Sequence, residues 1–153
     1  MRIVTRVFGE IDIADDKIIR FPNGIVGFPE LTDFALIHDS EKDNNTAVKW
    51  LQSMQEAAFA MPVVDPLVVK PDYNPEVEDE LLKPIGELNP DSTLVLVTLT
   101  VPSDITKMTV NLQAPIVVNA DEMKACQIIV DTEKYPVRFP IYDIMNELKK
   151  EGK

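Results

Sequence analysis

The residues that could carry out catalysis are few in this sequence. His38 is its only histidine and Cys126 its only cysteine. His38 is followed by Asp39 and Ser40, but neighbouring residues of a strand point to opposite faces, so this run is not the convergent arrangement of a catalytic triad. Cys126 has apolar neighbours and no second cysteine or histidine nearby, which predicts a small buried side chain.

Other chemical signatures are missing as well. Residues 24–27 hold two glycines but lack the lysine and serine or threonine of a phosphate-binding loop. No acidic run matches the alternating pattern of a calcium loop. Adjacent carboxylates such as Asp15 and Asp16 show no sign of the desolvation that separates the pKa values of an acid–base pair. We therefore predict a protein that is not an enzyme and that uses no cofactor or metal.

Charge is more informative than these side chains. The sequence has 26 acidic residues against 15 basic ones, a net charge of −11. More than half of the excess lies in residues 72–92, called here the acidic segment, where Lys83 is the only basic residue. Such a charge disfavours direct contact with nucleic acid or an anionic membrane and favours a basic partner. The alternative is a solvated connector that keeps the protein soluble.

Alternation of apolar and polar residues dominates the sequence and predicts strands. Residues 93–101 are rich in β-branched side chains and should form the central strand. Residues 110–118 alternate too, but Pro115 cannot donate a ladder hydrogen bond and predicts an edge or a bulge. Further strands are expected near residues 2–8, 11–13, 18–21, 35–37, 48–53, 58–64 and 125–130. With 12 prolines ending many of these runs, the pattern predicts an all-β, mainly antiparallel, small β-barrel-like domain with one or two short helices.

Two short helices are predicted. Asn74 can cap the first, with Pro75 at its first helical position and Pro84 ending it. The second follows Pro140 and has apolar residues at helical spacing, so that it either packs on the barrel or engages a partner. We divide the chain into a single barrel-like domain at residues 1–138 and a C-terminal amphipathic helix or tail at residues 139–153.

The same sequence predicts a cytoplasmic protein. No apolar run is long enough to span a bilayer, and the first residues lack the apolar core of a secretory signal. A single cysteine permits no internal disulfide, which favours a reducing compartment.

Three features suit a protein-binding surface. The first is residues 21–29, where Asn23-Gly24 between apolar residues is a strong hairpin signal. Ile25 and Val26 beside it either form an exposed anchor or close the barrel mouth. The other two features, for which structural and binding roles both stay open, are Trp50 and the residues leading into the acidic segment, 63–66 and 71–73.

Several motifs together resemble the flagellar assembly factor FliW family. The most specific is Met108-Thr-Val-Asn-Leu-Gln-Ala-Pro-Ile-Val-Val-Asn119. The others, in the order that the family has, are Phe21-Pro-Asn-Gly-Ile-x-Gly-Phe28, Trp50-Leu-Gln-Ser53, Val64-Asp-Pro66, Pro71-Asp-Tyr73 and Leu96-Val-Thr-Leu-Thr-Val-Pro102. The resemblance covers residues 3–138. It departs at Val110, where the family commonly has alanine, and in residues 81–88, where a more acidic loop is often seen.

This resemblance implies a non-enzymatic regulator of flagellin production in bacteria, with a small β-barrel-like fold. Members of the family bind the RNA-binding repressor CsrA and relieve its block on flagellin messenger RNA. They also bind flagellin near its C-terminal end, so that the two partners compete. We expect CsrA and flagellin as partners of a protein that is a monomer when free, and a net acidic charge independently suits a basic RNA-binding partner.

The predicted partner-binding residues fall into two groups. Carboxylates of the acidic segment are expected to lie near CsrA and to repel RNA phosphates, while apolar residues of the loop at 21–29 are expected to contact flagellin. The full set is Asn23, Ile25, Val26, Phe28, Asp65, Asp72, Tyr73, Glu76, Glu78, Asp79 and Glu80.

Two other classes of protein remain open from the sequence. A small-ligand-binding β-barrel requires a central pocket with a few converging polar groups. A hydrolase requires His38 or Cys126 within hydrogen-bonding reach of a partner.

Overall fold

The computed structural model describes residues 2–6, 8–37, 48–75, 77, 79–130 and 133–151. His38, Glu76 and Glu78 lie outside these residues. The strands of the described part are β1 (Arg2–Thr5), β2 (Gly9–Asp12), β3 (Ile18–Arg20), β4 (Asp33–Ile37), β5 (Lys49–Ser53), β6 (Ala60–Val64), β7 (Thr93–Thr100), β8 (Thr109–Val110), β9 (Ile116–Asn119), β10 (Lys124–Gln127) and β11 (Phe139–Pro140). Its α-helices are α1 (Pro66–Val69), α2 (Asp79–Leu82) and α3 (Tyr142–Glu151). Within the described residues, no helix has the length and apolar character that crossing a membrane requires.

Seven strands close into a barrel in the order β7-β6-β5-β4-β3-β10-β9 and back to β7. Neighbouring barrel strands are antiparallel, except for the parallel pair β3 and β10. The short strands β8 and β11 continue the sheet from the far end of β7, and β1 and β2 pair with each other as a hairpin. This topology confirms the predicted mainly antiparallel, barrel-like fold.

The barrel strands are joined by ladders of unequal length. Four residue pairs join β4 to β5, β5 to β6, β9 to β10 and β7 to β9. In contrast, β6 and β7 are joined only by the pairs Val63↔Thr98 and Val64↔Val97. The parallel contact of β3 with β10 has the one pair Arg20↔Lys124.

The barrel interior is filled by one set of alternating apolar side chains. Because successive residues of a strand face opposite sides, each barrel strand contributes every second residue to this core. Its fully buried members include Phe34, Leu51, Val63 and Ile116. The rings of Phe21 and Phe34 meet edge to face, with centroids 5.1 Å apart.

A second core covers the outer face of several barrel strands. Val97, Val117 and Cys126 alternate with the interior residues and therefore point outward, where they are buried by other parts of the chain. The acidic segment contributes Ile85, which is fully buried, and Ile144 of α3 packs against the same core. The middle of β7 thus buries residues of both faces, Leu96 on one and Val97 and Leu99 on the other.

The first predicted helix is wrong in its start. Asn74 and Pro75 are not helical, and α2 begins only at Asp79. The backbone N–H of Asn74 donates to the Tyr135 hydroxyl at 3.1 Å, which fixes the chain at this point to a distant part of the fold. The C-terminal helix is present as α3, and α1 was not predicted at all.

The predicted interruption at Pro115 is confirmed. β8 ends at Val110 and β9 begins at Ile116. Between them the Asn111 side-chain oxygen accepts hydrogen bonds from the backbone N–H groups of Gln113 and Ala114, at 3.0 and 3.2 Å.

Candidate functional site

The acidic segment is fixed to the barrel at its beginning by Tyr73. This side chain is 7% exposed, and its hydroxyl donates to the Leu112 carbonyl oxygen at 2.7 Å. Its ring packs edge to face on Tyr135, with centroids 4.7 Å apart. Burial, with a smaller contribution from Tyr135, raises the pKa of Tyr73, so the hydroxyl keeps the proton that it donates. Tyr73 therefore fixes the start of the acidic segment to the rest of the protein.

Asn119 fixes the other end of the segment. Its side chain is fully buried, and its amide nitrogen donates to the carbonyl oxygens of Ile85 and Glu87, at 2.7 and 3.1 Å. Its side-chain oxygen accepts from the backbone N–H of Asp121 at 3.1 Å. Both polar atoms of this buried amide are thus satisfied, as buried polar groups generally are. The last residue of the MTVNLQAPIVVN motif is an anchor for the acidic segment.

Carboxylates are exposed along the whole length of the segment. Asp72, Glu80, Glu87 and Asp91 are all exposed. The Asp72 carboxylate lies 3.0 Å from the Lys70 ammonium, whose hydrogen bond and charge lower the pKa of Asp72. Among the other predicted residues of this group, Asp79 is the first residue of α2, and Glu76 and Glu78 lie outside the described part.

Asp65 has a local role. It is the N-cap of α1, where its carboxylate oxygen accepts from the backbone N–H of Leu67 at 2.9 Å. The Val64-Asp-Pro66 motif therefore ends β6 and starts a helix, because a cap followed by proline suits the first turn.

The loop at residues 21–31 differs from the predicted hairpin. Asn23 is exposed within a turn in which the Gly24 N–H donates to the Phe21 carbonyl oxygen at 2.9 Å. The bridge forms instead between Ile25 and Phe28, across Val26 and Gly27. The chain turns twice because both Gly24 and Gly27 adopt positive φ, at 69° and 87°.

This loop separates one buried residue from two exposed ones. Ile25 is 4% exposed and belongs to the interior core, whereas Val26 and Phe28 are 56% and 42% exposed. Val26 and Phe28, together with Phe59 and Ile129, line a shallow cavity of about 480 Å³. We call these four residues the apolar patch. Val26 is held in place because its N–H donates to the Gln127 side-chain oxygen at 2.9 Å.

The Trp50-Leu-Gln-Ser53 motif supports the apolar patch. Gln52 is fully buried, and its amide nitrogen donates to the carbonyl oxygens of Ser53 and Phe59 at 2.9 and 3.1 Å. This fixes the turn that presents Phe59, whose ring lies 5.0 Å from that of Phe28. Trp50 itself is half-buried, with its ring 5.9 Å from that of Phe8.

A larger groove, of about 740 Å³, lies along the acidic segment. The start of β7 (residues 93–96), α1 and the apolar residues Val77, Leu82 and Leu88 of the acidic segment line it. Its lining includes two strongly exposed leucines, Leu67 at 52% and Leu94 at 43%. The sequence does not predict this groove, because it arises where β6 turns away from β7.

The described residues offer little for catalysis. Cys126 is buried, its sulfur lies 3.7 Å from the Leu81 carbonyl oxygen, and burial raises the pKa of its thiol. A thiol in this state is a poor nucleophile. Within the described ranges no group of three or more histidine, cysteine, aspartate or glutamate residues is arranged to hold a metal ion.

The fold and these surfaces define a small, mainly antiparallel β-barrel protein with a packed interior, whose outer face carries a fixed acidic segment. The chain belongs to the FliW protein family, whose model matches residues 2–141. This confirms the resemblance that the ordered motifs indicate.

Individual relatives agree with this membership. The chain is 49% identical to the flagellar assembly factor FliW of Lachnospira eligens, over 99% of both proteins. It is 42% identical to that of Lachnoclostridium phytofermentans, over 99% of this chain and 97% of the relative. A crystal structure of the flagellar assembly factor FliW superposes with a TM-score of 0.84 at 29% identity, covering 93% of this chain and 97% of that one. An assembly factor is, in general, a non-enzymatic protein.

Proposed function

We propose that this protein is a non-enzymatic regulator that binds the repressor CsrA, relieves repression of flagellin messenger RNA, and also binds the C-terminal region of flagellin. In this role it acts in the cytoplasm, as a monomer when free, and exchanges one partner for the other. The observation that carries the proposal is the acidic segment of a FliW-family barrel, anchored by Tyr73 and Asn119 with its carboxylates outward.

We assign the acidic segment to CsrA. An RNA-binding protein presents basic residues, and an acidic surface steers such a partner and competes with RNA phosphates. The carboxylates are held on a fixed backbone, so their charge acts at a defined place. At physiological salt the Debye length is about 8 Å, so several carboxylates within one segment act together on a docked partner.

Reversing two of these charges should weaken CsrA binding. In the double variant Glu80→Lys with Glu87→Lys, we expect the Kd for CsrA to rise roughly tenfold at low salt, about 1.4 kcal/mol, and by less at high salt because exposed charges are screened. Isothermal titration calorimetry at two salt concentrations measures this.

The matched control carries the same charge change outside the segment, at the exposed residues Asp16 and Glu147. If Asp16→Lys with Glu147→Lys weakens binding as much as the first pair, net charge rather than the acidic segment decides the affinity.

We assign the apolar patch to flagellin. Val26 and Phe28 are exposed apolar side chains on a loop that hydrogen bonds hold in place, and exposed apolar clusters commonly mark protein contacts. Ile25, predicted with them, is buried in the interior core, so its substitution by aspartate tests folding rather than binding.

Val26→Asp should weaken flagellin binding by at least about tenfold, because the buried contact is lost and a carboxylate must be desolvated against the partner. The variant should fold, since Val26 is 56% exposed. Val4→Asp is the control, because Val4 is 67% exposed on the separate β1–β2 hairpin. Pull-down with purified flagellin and circular dichroism distinguish the outcomes; equal binding by both folded variants would remove the patch from the proposal.

A further inference from the structure

β7 has a free edge where it lines the groove. The pairing of β6 with β7 stops at Val64↔Val97, although β7 continues to Thr93 on its other side, paired with β9. Continuing the same register would place Pro66 opposite Val95. Pro66 has no N–H to donate, and the chain turns into α1 at that residue. Among the described residues, none pairs at this edge with the part of β7 that precedes Val97 in the sequence.

The direction of the peptide groups makes this edge usable. The Thr98 carbonyl oxygen accepts from the Asn111 N–H at 3.0 Å, so the peptide groups of Thr98 and of every second residue before it point toward β8 and β9. Because peptide groups alternate along a strand, the N–H and carbonyl of Val95 point to the opposite edge, toward the groove. A row of unpaired backbone groups of this kind can accept an added strand.

The groove favours apolar side chains over a small polar ligand. Its volume of about 740 Å³ lies within the usual range for ligand sites, about 300–1,000 Å³. Three of the five polar side chains described in its lining are already engaged, which leaves Lys49 and Asn74: Tyr73 donates to the Leu112 carbonyl oxygen, Thr93 donates to the Asn89 carbonyl oxygen at 2.7 Å, and Asp65 caps α1. Few polar groups therefore remain to orient a small ligand, whereas Leu67 and Leu94 are exposed to it.

One wall of the groove belongs to the acidic segment. Val77, Leu82 and Leu88 line it, and exposed carboxylates such as Glu80 and Glu87 stand beside these residues in the sequence. Among the described residues of the lining, Lys49 alone is basic. A partner polypeptide bound here would contact apolar surface in the groove and negative charge around it.

We infer that the groove holds an extended segment of a partner polypeptide, which pairs as an added strand with the Val95 edge of β7, places alternate apolar side chains in the groove and presents lysine or arginine to the acidic segment. The inference rests on the proposed function, because it describes how a partner of that regulator is held. In such complexes the main-chain hydrogen bonds provide affinity and the alternating side chains provide specificity.

The test uses a fluorescein-labelled hexapeptide of alternating valine and lysine as the probe, and the same peptide with glutamate in place of lysine as its counterpart. We expect the lysine peptide to bind at least tenfold more tightly by fluorescence anisotropy. At saturation, the Val95 amide should exchange its hydrogen at least tenfold more slowly in an NMR measurement. The Val97 amide, already paired with Val64, should change little.

A pair of matched variants locates the binding. Leu67→Lys places a charge in the groove and should weaken binding of the lysine peptide at least tenfold. Ile105→Lys is the control and should change the affinity less than twofold. Both residues are 52% exposed, but of the two only Leu67 lines the groove. Equal binding of the two peptides, equal effects of the two variants, or an unchanged Val95 amide would overturn the inference. Tighter binding of a leucine- and lysine-containing helical peptide would overturn it too. Failure of CsrA or flagellin to bind the unmodified protein is a separate result, which contradicts the proposed function instead.

Discussion

Gly24→Ala is expected to destabilise the fold severely. Gly24 has φ of 69°, and a Cβ added there would lie 2.5 Å from the Cα and the carbonyl oxygen of Pro29. Backbone strain of about 1–3 kcal/mol then adds to overpacking of about 1–3 kcal/mol. We expect the free energy of unfolding to fall by at least about 3 kcal/mol, a large part of the stability of a domain of this size.

Gly27→Ala separates the two contributions. Gly27 has φ of 87°, but a Cβ there meets no atom within 4 Å. In Gly27→Ala the free energy of unfolding should therefore fall only by the backbone strain, about 1 kcal/mol. Urea denaturation followed by the fluorescence of Trp50 measures both variants. Similar losses at the two glycines would show that the close approach of Pro29 is not what requires glycine at residue 24.

Asn119→Ala is expected to have the second-largest effect, on stability and on binding together. The substitution leaves the carbonyl oxygens of Ile85 and Glu87 and the N–H of Asp121 without their partner. An unsatisfied buried polar group costs about 1–3 kcal/mol, and we expect a total loss of about 2–4 kcal/mol after local relaxation. The acidic segment should also become more sensitive to proteolysis near residues 85–87.

Asn89→Ala is the matched control for this prediction. Asn89 is exposed, and its side-chain oxygen accepts from the Asp91 N–H at 3.1 Å, so its loss should cost only about 0.5–1 kcal/mol. If the segment must be held in place to bind, Asn119→Ala lowers the affinity for CsrA at a temperature where it is folded, and Asn89→Ala does not. Unchanged affinity in a folded Asn119→Ala variant would contradict that role for the anchor.

The sequence predicted the barrel well because alternation has a direct physical counterpart in it. Every second residue of a barrel strand faces a packed interior, which produces the alternation. The β-branched run at residues 93–101 likewise translates directly into β7. Cys126 is a similar case, since its apolar neighbours and its burial have the same cause. Pro115 was readable as an interruption because proline lacks the N–H that a ladder needs.

What the sequence could not predict depends on contacts between distant residues. Asn74-Pro75 has the local signals of a helix start, but the helix begins only at Asp79, and Asn74 is instead bonded through its N–H to Tyr135, 61 residues away. Ile25 and Val26 are equally apolar, and only the fold shows that Ile25 packs in the interior core while Val26 is exposed. The groove follows from the point at which two strands diverge, which no single stretch of sequence encodes. The ordered motifs identified the family. Several of their residues, however, stabilise the fold and are not exposed for binding a partner.

The unequal ladders divide the barrel into two ribbons, one of β3 to β6 and one of β7, β9 and β10. Two short seams join the ribbons: one residue pair between β3 and β10 and two pairs between β6 and β7. Heat should open the β3–β10 seam first, because a single residue pair joins these two strands. The groove borders the β6–β7 seam, so a bound strand would add pairing there and raise the melting temperature as the logarithm of its concentration above Kd.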